Sequence, residues 1–195
     1  MPSLKPMRNL LKFLLALAVA LMLMMAFRAL VFTIYYVDGD GLEPEFVAGD
    51  HVMVNRWSYG LRTGSRSVPG RQQGNGLFGY SRLWRQPMKR GDIVAYDDPS
   101  DSTHTRVLFG RLSALPGDTV HYHGYAEMVP GLANCADADY YWVQTLNENN
   151  PIDSRLLGFI SEQYIIGRTV LVVYSHPEDS SVWTGYRNDR FLLLK

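Results

Sequence analysis

The 195-residue sequence predicts a mainly β domain, an irregular barrel or sandwich, behind one N-terminal transmembrane helix. Three observations carry that reading. A basic flank precedes a long apolar run. Beyond the run, short segments rich in β-branched and aromatic residues recur between turn signals. No helical period persists after the run, apart from a weak one in the C-terminal "RFLLLK". The expected division is residues 1–34 for flank and helix and 35–195 for the β domain.

The flank "MPSLKPMRNLLK" carries Lys5, Arg8 and Lys12 and no acid. "FLLALAVALMLMMAF" then runs from Phe13 to Phe27 without a charge. Its Leu, Ala and Met are good helix formers. A bilayer core needs about 20 apolar residues in helix. Phe13 to Val31 meets that length if Arg28 reaches the interface by snorkelling. Basic residues before a span favour a cytoplasmic N-terminus and place the domain across the membrane. The alternative is a cleavable signal peptide, although no small-x-small site with a polar flank follows Phe27.

Strand candidates follow in order: "HVMVN" (51–55), "DIVAYD" (92–97), "TRVLFGRLSAL" (105–115), "DTVHYHG" (118–124), "YYWVQTL" (140–146) and "IIGRTVLVVYS" (165–175). Turn chemistry separates them in "AGD" at 48–50, "RGD" at 90–92 and "PGD" at 116–118. One segment differs from the rest. From His51 to Gly91 there is no Asp or Glu, yet Arg56, Arg62, Arg66, Arg71, Arg82, Arg85, Lys89 and Arg90 occur with Trp57, Tyr59, Phe78, Tyr80 and Trp84. Residues 60–88 read as a basic, aromatic loop insertion. Contact with a membrane surface suits that mixture, because aromatics lie at headgroup level and arginines meet anionic lipid. A plainly solvated loop is the alternative; nucleic acid is disfavoured by the topology.

Composition narrows the function classes. A formal net charge of +0 argues against a polyanion-binding protein. The single cysteine, Cys135, rules out an intramolecular disulfide and a thiol metal cluster. Five histidines, His51, His104, His121, His123 and His176, are the free bases available. His121 and His123 alternate along a strand candidate, but no third metal ligand accompanies them. No cofactor or metal is expected.

Four stretches, in order, resemble the type I signal peptidase family. The first is "RALVFTIYYVDGDGLEPEFVAGDHVMVNRWSYG", where Arg28, Phe32, Tyr35, Glu43, Pro44, Gly49, Asp50, Val54, Asn55, Tyr59 and Gly60 fall on the family's pattern. The others are "KRGDIVAYDDP" (89–99), "GRLSALPGDTV" (110–120) and "NENNPIDSRLLGFISEQYIIGR" (147–168). The tail "SHPEDSSVWTGYRNDRFLLLK" resembles, more weakly, the ending of Bacteroidetes members. The resemblance implies a membrane-anchored β protein in the cytoplasmic membrane, single-pass, with its β domain on the outer, periplasmic side. It also implies cutting of signal peptides after small residues by a serine nucleophile and a lysine base. Such a serine needs a base, and a lysine serves only when burial lowers its pKa.

The sequence departs from that pattern where the chemistry resides. The nucleophile position is Gly41, the lysine position Gly110, the oxyanion serine position Gly39 and the base-orienting serine position Pro151. Asp153, Ser154 and Arg155 of the supporting motif remain. The resemblance therefore implies a catalytically inactive homologue that binds signal peptides or preproteins, or regulates an active signal peptidase homologue. The alternative is an active peptidase using other groups. Peptide contacts are expected at Tyr36, Val37, Leu108, Arg111 and Leu112, beside the backbones of "YYVDG" (35–39) and "LFGRLSA" (108–114). The partners implied are membrane lipid, signal peptides and an active homologue.

Overall fold

The computed structural model describes residues 5–39, 42–63, 80–101, 106–122, 124–134, 136–147, 152–177, 185–187 and 189–190. Gly41, Pro151, Cys135, His104, His123, most of the 60–88 segment and the "RFLLLK" tail lie outside those residues.

Helix α1 spans Lys5–Val31, and its Arg8–Phe27 stretch is long and apolar enough to cross a membrane. None of that stretch is buried within the protein, so its apolar surface has no covering inside the fold. The helix ends at Val31, where the span expected from the sequence also ends. The β-branched and aromatic "FTIYY" forms strand β1 (Phe32–Tyr36) directly after Val31.

The further strands are β2 (Asp50–Asn55), β3 (Leu61–Thr63), β4 (Ser81–Leu83), β5 (Ile93–Asp97), β6 (Val107–Ala114), β7 (Thr119–Tyr122), β8 (Tyr125–Met128), β9 (Tyr140–Gln144), β10 (Ile160–Ser161) and β11 (Ile165–Ser175). A short helix α2 (Ser154–Leu157) lies between β9 and β10. Seven strands form one curled antiparallel sheet in the order β1-β2-β11-β5-β6-β9-β10. The β3-β4 and β7-β8 hairpins stand apart from it. Register shifts in the pairings of β11 with β2 and β5 bend this long central strand.

Both faces of the sheet centre are covered, and every residue of β5 is buried. Ile93 and Ala95 join Val37, Phe46, Val52, Phe109 and Val172 on one face. Val94 and Tyr96 join Leu112, Tyr141, Val143 and Ile165 on the other. Each Gly-Asp turn is closed by its aspartate. The Oδ2 of Asp50 accepts from Val47 N–H at 3.0 Å, and that of Asp118 from Leu115 N–H at 2.6 Å. Asp92 Oδ2 takes the Tyr59 hydroxyl at 2.8 Å.

The basic segment is partly interior. Arg82 is buried, donates to the carbonyls of Gly60, Glu162 and Ile165, and pairs with the Glu162 carboxylate at 3.1 Å. Arg62 binds Asp97 at 2.8 Å, and Arg85 binds Asp139 and Glu162. These three cations tie the β3-β4 hairpin to the sheet. Trp84 and Leu83 of the same hairpin are exposed.

Candidate functional site

The site lies where the β1-β2 loop passes β6. Val37 remains tied to the sheet, donating to Asp50 O at 2.9 Å and accepting from Gly49 N–H at 3.1 Å. Asp38 and Gly39 then turn outward and are exposed. Gly39 has φ +82°, a left-handed conformation that costs a residue with a side chain. Leu42 brings the chain back into the core, and Phe46 N–H closes the turn on Leu42 O at 3.0 Å.

Strand β6 forms the opposite wall. On one side it pairs with β5 from Val107 to Arg111. On the other, β9 joins only at Arg111, so among the described residues Val107–Gly110 have a strand on one side alone. The resulting groove contains a cavity of ≈140 Å³ lined by Val37, Asp38, Gly39, Leu42, Arg106, Val107, Leu108, Phe109, Thr145 and Ile152. Glu45 of the loop reaches Arg111 of β6 at 2.6 Å and ties the two walls together.

Gly110 faces the second core cluster, on the side of Val94 and Leu112. A Cβ there would stand 2.6 Å from Val143 Cγ1 and 2.9 Å from Gln144 O. Ordinary carbon contacts lie at ~3.5–4.0 Å. The side chain of β9 therefore occupies the place where a side chain of residue 110 would begin. Tyr96 is fully buried nearby in the same cluster, and its hydroxyl has no hydrogen-bond partner among the described residues. Burial pushes that hydroxyl far above its usual pKa, and the Asp153 and Asp98 carboxylates push it further. Tyr96 is thus a neutral hydroxyl, not a base.

Asp153, Ser154 and Arg155 come to the site from α2, and their bonds hold the fold. Asp153 is fully buried and caps α2 by accepting from Arg155 N–H. It also accepts from Thr145 N–H at 2.9 Å and pairs with the Arg155 guanidinium at 2.9 Å. The Ser154 hydroxyl oxygen is buried and accepts from Val143 N–H at 2.9 Å. Together these bonds stitch α2 to β9.

A family model described as "Signal peptidase, peptidase S26" matches residues 10–131, more than half of the chain. The chain belongs to the signal peptidase family. None of the curated proteins compared with it matches. The family match takes in most of the helix, the β1-β2 loop and β6 that form the groove walls, and positions 39, 41 and 110, but not Thr145 and Ile152 of the groove lining. The Asp153–Arg155 motif lies beyond it, and the fold brings that motif against the matched part through β9.

Against this signal peptidase frame, the expected peptide contacts divide. Val37 and Leu108 line the groove cavity. Arg111 lines a neighbouring cavity with Ser113, Gln144, Thr145, Leu146 and Arg155. Tyr36 packs its ring against His51 at 5.3 Å, and His51 in turn stacks on Tyr174 at 4.0 Å. Leu112 is fully buried in the second core cluster, so its side chain cannot meet a peptide. His121 stands on the separate β7-β8 hairpin, and His176 packs on Tyr186. Among the described residues no group of three or more His, Cys, Asp or Glu is placed to hold a metal.

Val143, Thr145 and Glu45 were not singled out by the sequence. Val143 fills the space beside position 110, Thr145 joins Asp153 to Arg155, and Glu45 bridges to Arg111. The alternation in "YYWVQTL" places Tyr141 and Val143 on one face, but only the pairing register sets that face against Gly110.

Proposed function

We propose that the protein is a catalytically inactive signal peptidase homologue that holds signal peptides without cutting them. It sits in the cytoplasmic membrane with its β domain on the outer side. The crowding at Gly110 carries this reading. A lysine base would have to grow from a position already filled by Val143 and the Gln144 carbonyl, so the missing residue is matched by missing room. Other features support it. The nucleophile position is glycine in the sequence. Ser154, the serine nearest in the family's frame, spends its buried oxygen as an acceptor for Val143 N–H. Asp153 and Arg155 neutralise each other. Even modest enzymatic catalysis needs about 8 kcal/mol of barrier lowering, and these groups offer no nucleophile–base pair to supply it.

Peptide binding needs neither lost group. An extended chain added beside Val107–Gly110 gains backbone hydrogen bonds, and a small pocket selects small side chains. The open edge of β6 and the ≈140 Å³ cavity beside it suit that mode. Asp38 at the cavity and the freedom of Gly39 weaken it, so the affinity is lower than that of an active member made inert by serine-to-alanine substitution.

The test uses the full chain in detergent with a preprotein, and with a signal peptide carrying a photo-crosslinker near its small residues. The expected result is no cleavage and crosslinks within 36–41 or 108–114. Steady release of signal peptide by the wild type would overturn the inactive reading. Absence of crosslinks, beside a clear one in an inert active-family control, would replace peptide binding with regulation of an active homologue. Protease added to intact spheroplasts should digest the β domain; its protection would reverse the orientation.

A further inference from the structure

The open edge of β6 is short. Strand β9 pairs from Arg111 onward, with Gln144 opposite Arg111. A peptide laid beside Val107–Gly110 therefore runs into β9 after four residues. At that block lies a cavity of ≈410 Å³ lined by Arg111, Ser113, Gln144, Thr145, Leu146 and Arg155. It shares Thr145 with the groove cavity, so the two are neighbours. Its lining is two guanidinium groups, two hydroxyls and one carboxamide against a single apolar side chain.

Such a set suits a carboxylate. Arg111 Nη2 holds Glu45 at 2.6 Å, with both side chains about two-fifths exposed, 43% and 41%. A surface pair of this kind is weak and exchanges readily. A guanidinium carries five N–H donors, and one carboxylate does not exhaust them. Arg155 grips Asp153 and donates to the Thr145 hydroxyl at 3.1 Å. It thereby lends a fixed edge to the same cavity.

We infer that this cavity takes the terminal carboxylate of a peptide lying in the groove, so that the favoured ligand is a released signal peptide and not an uncut precursor. The inference rests on the peptide-binding function proposed above. A peptide running parallel to β6 brings its C-terminal end to Arg111. There β9 occupies the edge, and no extended chain can continue. A chain that ends there presents a carboxylate to Arg111. A precursor presents a neutral amide and must turn away. Glu45 is the built-in competitor for the same guanidinium.

The test is fluorescence anisotropy with the detergent-solubilised full chain and a labelled peptide ending in Leu-Ala-Leu-Ala-Ala. The peptide is made as the free acid, as the C-terminal amide, and extended by four residues. The free acid should bind about tenfold more tightly than the other two, the discrimination of one charge-assisted hydrogen bond. Arg111→Gln should bring acid and amide close together, and Glu45→Gln should widen the gap. Equal binding of acid and amide by the wild type overturns this inference and leaves peptide binding standing. Binding of neither overturns both. An amide with Glu as its last residue that binds as tightly as the acid would also overturn it, because the cavity would then read side-chain carboxylates and not chain ends.

Discussion

Replacing Gly110 by alanine adds one methyl group to β6. Built on the backbone, that carbon stands 2.6 Å from Val143 Cγ1 and 2.9 Å from Gln144 O. The first distance is ~1 Å short of ordinary carbon contact. Val143 is fully buried and has little space to yield, and the Gln144 carbonyl is backbone. Overpacking of this kind costs about 1–3 kcal/mol. With a urea slope of about 2 kcal/mol/M, the unfolding midpoint should fall by roughly 0.5–1.5 M. Urea unfolding of the full chain in detergent measures it, with the buried Trp142 among the fluorescent reporters. Val143→Ala removes the nearer clash, so the double variant should be more stable than the sum of the two single costs by about 0.5–2 kcal/mol. A Gly110→Ala protein that unfolds at the wild-type midpoint, or strictly additive costs, would refute the crowding. It would also reopen position 110 to a lysine.

Ser154→Ala leaves the buried Val143 N–H without its acceptor and should cost about 1–3 kcal/mol, measured by the same unfolding assay. Arg82→Met leaves the buried Glu162 carboxylate with Arg85 as its remaining cation and removes the donor from the carbonyls of Gly60, Glu162 and Ile165, so it should cost about 3–5 kcal/mol in the same unfolding assay. The Leu115 N–H bond, opposed by burial and helped by Arg90, holds the Asp118 carboxyl below its usual pKa. Its contribution to stability is therefore complete above the ordinary carboxylate pKa and is lost as pH falls through the lowered folded value, so Asp118→Asn should flatten the acid limb of a stability–pH curve.

Much of the sheet was legible. β11 matches its sequence segment end to end, because a segment this rich in β-branched residues has few other fates. β5, β6, β7 and β9 fall within their candidates, and β2 begins one residue before its own, at Asp50. β8 was missed because all four of its residues are exposed and show no alternation. β3 and β4 are three residues each, with arginine at the middle position. The interior role of Arg62, Arg82 and Arg85 had no local signal, since their partners Asp97, Asp139 and Glu162 lie 35 to 80 residues away in sequence. At the site, the two segments read as groove walls lie beside one cavity, which Val37, Asp38, Gly39 and Leu108 line. Leu112 is buried because β9 covers β6 from Arg111 onward, a pairing between segments about 30 residues apart that has no local signal.

The junction of helix and sheet acts as a ruler. α1 passes into β1 with no intervening residue, and Arg56 N–H binds the last helical carbonyl, Val31 O, at 2.8 Å. The domain therefore follows its helix directly, with no linker between them. Five residues of strand reach at most ~17 Å, and the groove begins at the next residue, Val37. With α1 in a bilayer, the groove can stand no higher than that above the helix end. On the proposed function, a chain emerging from that bilayer would meet the groove at once.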